Sequence, residues 1–438
     1  MSGLLNTIYA GLLVLLSPVI VWRMVRHGRY RRGLPEKLVG QLPKKQDDRP
    51  VVWFHAVSVG EVLQLRNVIE GFRSGTDNRY QILLTTSTDS GYDLAVERYS
   101  DCTVSWFPLD FSWAVSRALK RVQPEMVVLA ELELWPGFLS ACRCLKVKTA
   151  VINARMSDHS YRGYGRLQWL IQPLLQHLSV VAVQTDEYAE RLIDLGTSPQ
   201  HTTVTGSIKF DGVATDRFNP ATAALRNLFD IRKDDIVLIA GSTQDPEEQM
   251  AIDAWEELRS EWPNLRLIIV PRHRERFDSV ASLLHSQQVA CLRRSEMELH
   301  GNKFSRDSVI LLDTIGELSA CWGLADVAFV GGSFGARQGQ NMLEPAAYGA
   351  AVLVGPNTAN FRDIVKCLVA EKAVIELKTT DQFIIELRRL LRNDTQRNTM
   401  GFRASEFVQR QSGAVARTIE LLTEVSESDH CVSHPTAA

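Results

Sequence analysis

Several short runs place reactive side chains where a strand would give way to a helix. His55-Ala56-Val57-Ser58-Val59-Gly60-Glu61 sets a carboxylate three residues after a serine, with a glycine between them. Ser58 and Gly60 suit a tight strand-to-helix turn with free backbone N–H groups. Glu61 would then stand at a helix N-terminus, where the dipole favours its ionised form. An ionised carboxylate at a cleft floor serves as a general base; the plain alternative is a helix-starting Glu on the surface. His55 reads as a satisfied core histidine. Glu131-Leu132-Glu133-Leu134-Trp135-Pro136 is unusual, because strand ends more often turn with Gly, Asn or Asp. Pro136 begins the next helix, and Glu131 or Glu133 could cap that helix or act. In Asn153-Ala154-Arg155-Met156-Ser157, Asn153 and Arg155 can hydrogen-bond a sugar hydroxyl or an anion.

The second half repeats the pattern with different chemistry. Ala240-Gly241-Ser242-Thr243 leads to Asp245-Pro246-Glu247-Glu248, a small-residue turn and a helix start with Pro at the first helical position. Such a turn, at Ser242, can hold a phosphate, and Pro271-Arg272-His273 offers charge to it. In Gly331-Gly332-Ser333-Phe334-Gly335, backbone N–H groups can converge on an anion. The run lacks both the GxGxxG spacing and the Walker lysine, so it is neither signature. Asn341 and Glu344 follow, and a carboxylate there can grip the two hydroxyls of a ribose.

These runs need elements to position them. Apolar, β-branched stretches recur at 51–57, 81–86, 103–107, 126–130, 148–152 and 180–184, then at 236–240, 265–270, 309–312, 327–330, 352–354 and 373–375. Helical patterns lie between, among them 112–122, 188–195, 247–259 and 315–322, and a long final one over 405–425. This alternation predicts an α/β chain with two parallel sheets, each covered by helices on both faces. Two Rossmann-like domains follow, at 50–210 and 211–425, facing a cleft, with a disordered tail at 426–438. Ligands in such sheets bind outside the carboxyl ends of the strands, where every run above falls.

The 438 residues suit two domains, and a net charge of −2 argues against nucleic-acid binding. The seven cysteines form no CxxC pair, so they read as unpaired thiols, without a zinc site. Residues 1–22 carry no charged side chain, and Arg23, Arg26, His27, Arg29, Arg31 and Arg32 follow. An apolar run of that length is sized to span a bilayer or lie in its interface, with the basic flank, to residue 32, on the cytoplasmic side. The charges follow the apolar run, unlike those of a cleaved secretory peptide. Trp22, Trp113, Phe138 and Trp169 are candidates for an apolar acceptor groove or for core.

Taken together, His55–Glu61, Glu131–Pro136, Asn153–Ser157, Gly206–Asp211, Pro271–His273 and Gly331–Glu344 resemble the 3-deoxy-D-manno-octulosonic acid (Kdo) transferases of bacterial lipopolysaccharide synthesis. The resemblance implies a GT-B fold, CMP-Kdo as donor, a lipid A precursor as acceptor and work at the cytoplasmic face of the inner membrane. It implies Glu61 as base and Glu131 as a second catalytic carboxylate, with Ser58, Gly60, Glu133, Asn153 and Arg155 in support. It assigns the donor to the second domain, with Arg272 on its phosphate and Glu344 on its nucleotide. His273, Ser242, Lys209, Gly332, Ser333 and Asn341 complete the expected donor contacts. No Asp-x-Asp motif is present, so neither metal nor cofactor is expected, and a single base predicts inversion. The sequence departs from the family pattern at Gln340, Met342, Ser207 and His159. A UDP-sugar-dependent GT-B transferase and a non-catalytic nucleotide-sugar binding protein are the alternative readings.

Overall fold

The computed structural model describes residues 2–27, 31–297, 305–335 and 338–427. The chain forms two compact units: residues up to Asp211 with those from Ser412 on, and Gly212–Gln411.

In the first unit β1 (Val51–His55), β2 (Gln81–Thr86), β3 (Thr103–Trp106), β4 (Pro124–Ala130), β5 (Lys148–Ala154), β6 (Val180–Val183) and β7 (Thr202–Val204) pair in the order β3-β2-β1-β4-β5-β6-β7. Every pairing is parallel. A sheet buried on both faces selects continuous apolar strands, and Val52, Trp53 and Phe54 in β1 have no exposed surface. After β1, β2, β5 and β6 the chain re-enters helix through a hydroxyl cap: Ser58, Thr88, Ser157 and Thr185 each accept a backbone N–H two or three residues into the next helix.

In the second unit β8 (Ile236–Thr243), β9 (Leu265–Pro271), β10 (Cys291–Arg293), β11 (Val309–Leu311), β12 (Val327–Val330), β13 (Ala351–Val354) and β14 (Val374–Glu376) pair, again all parallel, in the order β10-β11-β9-β8-β12-β13-β14. The short, half-exposed β7 and β10 are absent from the sequence reading. Each has three residues and lies at or beside a sheet edge, where polar residues such as Thr202 and Arg293 are tolerated.

The final helical pattern is two helices, Asp394–Gln411 and Ala414–Glu427. They part at Gly413, whose φ of 92° is open to glycine but strained for other residues. The second helix returns to the first unit, so the stretch expected as one domain over 211–425 ends at Gln411. Asp211 caps the returning helix, its carboxylate accepting from the N–H groups of Gly413 at 2.6 Å and Val415 at 2.5 Å. Arg417 donates to the Thr205 carbonyl through Nε and Nη2. At Gly71 a Cβ would fall 2.2 Å from Ile419 Cδ1, so glycine there permits the helix Val59–Gly75 to meet Ala414–Glu427 closely. Ser426 and Glu427 are still helical, and the rest of the expected tail, from 428, lies outside the described residues.

The N-terminal helix, Ser2–His27, lies against the first unit. Asn6 and Ser112 exchange two hydrogen bonds, at 2.7 and 3.0 Å, and the Tyr9 phenol donates to Asp110 at 3.0 Å. Among the described residues no helix is long and apolar enough to cross a membrane. The docking leaves less of this helix free of the folded body. With residues 6–9 tied to the folded body, 10–22 would cover only about 20 Å, short of the roughly 30 Å hydrocarbon core. The helix still exposes Val14, Leu15 and Val25, each above 70%. Arg32 stands over Tyr92 and Trp106 and pairs with Asp93 at 2.7 Å; Arg29 lies outside the described residues.

Replacing Asp211 by Ala removes both capping bonds. Denaturant unfolding of the full chain is expected to show a loss of about 1–2 kcal/mol with an unchanged denaturant slope.

Candidate functional site

Each sheet reverses its winding at one place, between β1 and β4 in the first unit and between β8 and β12 in the second. At such a switch point neighbouring loops diverge to opposite faces and leave a crevice at the strand carboxyl ends. The candidate residues gather at these two places.

In the first unit Glu61 follows β1. Its Oε2 accepts from the Val57 N–H at 2.8 Å and its Oε1 from the Ser58 hydroxyl at 2.7 Å, while Ser58 Oγ accepts from the Glu61 N–H at 3.4 Å. This is a reciprocal cap related to the capping box, so Ser58 orients the carboxylate it caps. Burial raises the Glu61 pKa; the Ser58 and Val57 bonds lower it, and the Glu131 charge raises it further. Gly60 lies on the exposed side of this turn.

Glu131 follows β4 with φ 55°, a left-handed conformation costing a non-glycine residue about 1–3 kcal/mol. The N–H of Glu131 is held by the Ile152 carbonyl at 2.9 Å. Its carboxylate meets Arg155 Nε at 3.5 Å and Lys209 Nζ at 3.7 Å. Lys209, expected among the donor contacts, is therefore a residue of the first unit and a partner of Glu131. Glu133 accepts from the Trp135 indole at 3.0 Å; burial raises its pKa, and the charges of Glu61 and Glu131 add to this. Asn153, buried and also left-handed at φ 54°, donates to Gln64 at 3.3 Å. Its Oδ1 accepts from Gln184 at 3.1 Å and from the Ile208 N–H at 3.2 Å. Asn153 thus ties β5 to the loop bearing Lys209, and the sequence reading missed Gln64 and Gln184, which have no motif of their own. His55 is wholly buried, stacked on Phe107 at 3.7 Å, and burial pushes its pKa down to about 3. It is a neutral core histidine, with Nε2 unpartnered. Phe138 is core, whereas Trp22, Trp113 and Trp169 are exposed.

In the second unit the Gly-rich loop does converge on an anion, but the anion belongs to the protein. Glu247, 1% exposed, accepts from the N–H groups of Gly332 (2.7 Å) and Gln244 (2.9 Å) through Oε2, and of Ser333 (2.9 Å) and Phe334 (3.0 Å) through Oε1. The Ser333 hydroxyl donates to the Val330 carbonyl and accepts from the Gly355 N–H. The expectation that Gly332 and Ser333 offer free N–H groups to a donor phosphate is corrected accordingly. Burial still raises the Glu247 pKa against four such bonds. Sequence reading assigned Glu247 only to a helix start; in fact Pro246 precedes the helix and Glu247 is its first residue. Ser242, at the end of β8, is buried and left-handed at φ 56°.

Arg272 and Glu344 come together. Arg272 is exposed beyond β9, with its N–H on the Thr243 carbonyl at 3.0 Å. Glu344 has its pKa raised by burial; hydrogen bonds from Asn341 and Ser319 and the Arg272 charge lower it. Asn341 donates to Glu344 at 3.0 Å and accepts from the Leu343 N–H at 3.0 Å. Ser319 was invisible in the sequence because only the fold brings it to Glu344. His273 is half-buried at the entry to the turn Arg274–Arg276.

MurG of Acinetobacter baumannii is similar to this chain at a TM-score of 0.53 and 14% identity, over 86% of this chain and 99% of that one. Two doubly wound parallel sheets of this kind are the GT-B fold. A family model described as 3-Deoxy-D-manno-octulosonic-acid transferase (kdotransferase) matches residues 28–212. The 3-deoxy-D-manno-octulosonic acid transferase of Haemophilus influenzae is 31% identical over 424 residues, 94% of this chain and 97% of that protein. The transferase of the same name from Bordetella pertussis is 33% identical over 386 residues, 85% of this chain and 87% of that protein. The chain belongs to the 3-deoxy-D-manno-octulosonic acid (Kdo) transferase family, and is an enzyme of that class.

Glu247→Gln leaves one accepting oxygen and turns an NH2 group towards N–H donors. Urea unfolding is expected to show a loss of about 1–3 kcal/mol, with Glu247→Asp intermediate.

Proposed function

We propose that the chain transfers Kdo from CMP-Kdo to a lipid A precursor, with inversion and without a metal ion, at the cytoplasmic face of the inner membrane. The observation that carries this reading is Glu61, a half-buried carboxylate of raised pKa, oriented by Ser58 at a switch point beside Glu131. A base must take the proton of the acceptor hydroxyl as it attacks the anomeric carbon, and a carboxylate tuned upward by burial is better matched to that task. Glu131, with Lys209 and Arg155 beside it, supports the acceptor side. Displacement by one base on the face opposite the leaving group inverts the anomeric centre.

The second unit supplies groups suited to the donor. Arg272 is placed to answer the charge developing on CMP, with His273 next to it after β9 and Ser242 at the end of β8. Glu344, held by Asn341, suits the ribose hydroxyls. The sequence contains no Asp-x-Asp motif, and these cations are assigned the work that a metal would do. The exposed apolar side chains of the N-terminal helix and the charges of Arg23, Arg26 and Arg31 suit an interfacial helix on an anionic leaflet.

The reading is tested by giving the full chain in detergent a dispersed lipid A precursor and CMP-Kdo in EDTA. Glycosylated lipid supports donor, acceptor and metal independence together; activity with UDP-sugars alone, or nucleotide binding without turnover, overturns it. Glu61→Gln is expected to lose more than about 100-fold in turnover while keeping donor binding.

The pH profile carries a second test. Activity requires the ionised base, so turnover rises with pH through the Glu61 pKa. Glu131→Gln removes a like charge that raises this pKa, and the acid limb should move to lower pH. Ser58→Ala removes a hydrogen bond that lowers it, and the limb should move to higher pH. Measured limbs that stay put or move the other way remove Glu61 from the role.

A further inference from the structure

The helix Pro136–Cys144, which follows Glu131 and Glu133, begins without a cap of its own. Its N-cap residue is Trp135, whose side chain makes no capping bond, and Pro136 has no N–H to offer. The next two N–H groups are captured from a distance. Gly137 donates to Asp110 Oδ2 at 2.8 Å and Phe138 to Asp110 Oδ1 at 2.6 Å. Asp110 comes from the loop after β3 and is 6% exposed. A Cβ at residue 137 would fall 2.7 Å from Asp110 Oδ1, so glycine at 137 is what admits the carboxylate.

A third donor completes the arrangement. The Tyr9 phenol reaches Asp110 Oδ2 at 3.0 Å from the N-terminal helix. The Tyr9 ring packs edge-on against Phe111 at 6.2 Å, and Asn6 holds Ser112 close by. Between this junction and β4 lies only the segment 131–135. Its far end is fixed by the Glu131 N–H on the Ile152 carbonyl, and inside it Trp135 donates to Glu133. The loop with both acceptor-side carboxylates is thus pinned at two ends, and one pin includes the seat of the N-terminal helix. Capping alone needs an anion at two N–H groups. It does not need a phenol from a helix whose opposite surface is exposed and apolar.

We propose that Asp110 is a positioning residue for Glu131 and Glu133, and that Tyr9 couples it to the N-terminal helix, so that the seating of that helix on a lipid surface sets the acceptor loop. The kinetic arm of this proposal rests on the Kdo-transfer reading; the spectroscopic arm does not. The full chain, labelled with 5-fluorotryptophan and held in detergent micelles, is followed by fluorine NMR, with the Trp135 signal assigned from Trp135→Phe. Tyr9→Phe keeps the ring against Phe111 and removes only the phenol bond. It is expected to move the Trp135 signal while Trp255 and Trp322, buried in the second unit, stay in place. In the transfer assay Tyr9→Phe and Asp110→Asn should lower kcat/KM for the lipid acceptor by about tenfold or more, with KM for the donor unchanged. A wild-type Trp135 signal in Tyr9→Phe overturns the coupling. Loss of activity in Asp110→Asn that falls equally on both substrates overturns the positioning role, leaving a carboxylate that only stabilises. If the wild-type chain transfers no Kdo, the function proposed above fails, and the Trp135 signal still decides the coupling.

Discussion

A parallel sheet covered on both faces has nowhere to put polar chemistry except its strand ends. In both units the central strands are buried along almost their whole length, and a charge within them would cost several kcal/mol. Reactive groups therefore collect where the backbone leaves the sheet. At Glu131, Asn153 and Ser242 the chain leaves it in the left-handed conformation, where glycine would be easier. Keeping a carboxylate, an amide and a hydroxyl at these strained positions means the side chain matters more than the strain. Only the surrounding hydrogen bonds, such as those of Asn153 to Gln64, Gln184 and the Ile208 N–H, hold the backbone there.

Within the first unit the balance of charge separates carboxylates that are close in sequence and role. Glu131 is met by two cations; Glu61 is met by a hydroxyl and an N–H, and Glu133 by an indole. A unit charge at about 4 Å is worth about 4 kcal/mol at an effective dielectric of 20, more than a neutral hydrogen bond contributes net. Burial therefore wins over hydrogen bonding at Glu61 and Glu133, whose pKa values both rise. On the proposed reading, environments that differ in this way assign different work to similar groups, and the proton-accepting task falls to Glu61, held by a hydroxyl and an N–H.

Much of this was legible in the sequence, for a physical reason. Fully buried parallel strands read as short β-branched runs, and the motifs sat at the ends of those runs. Glu61, Ser58 and Glu133 could be singled out because their partners are within a few residues, and Glu131 because it shares a run with Glu133. What stayed hidden depends on contacts distant in sequence. Lys209 looked like a phosphate ligand until the fold set it against Glu131. Asp110 caps a helix that starts 26 positions later, and nothing at Asp110 itself announces this. The break at Gly413 was missed because the helical pattern resumes one residue later, and a pattern does not reveal that the chain has returned to the first unit. Hydropathy at the N-terminus likewise cannot see that Asn6 and Tyr9 are tied to Ser112 and Asp110.

The Gly-rich loop gives the sharpest contrast between a motif and its use. A glycine turn with converging N–H groups is suited to an external phosphate, and the sequence has such a turn at Gly331–Gly335. Glu247 fills it with a buried carboxylate of the protein itself. The loop is thereby fixed before any ligand arrives, because its donors are already satisfied and a side chain at 331 would strike Glu247 Oε2. On the proposed reading, nucleotide charge must then be met by side chains, Arg272 first among them, instead of by the backbone. An exposed guanidinium is free to move with its ligand, whereas backbone donors are not. The second unit would so combine a rigid floor, fixed by an internal anion, with a mobile cation at its rim.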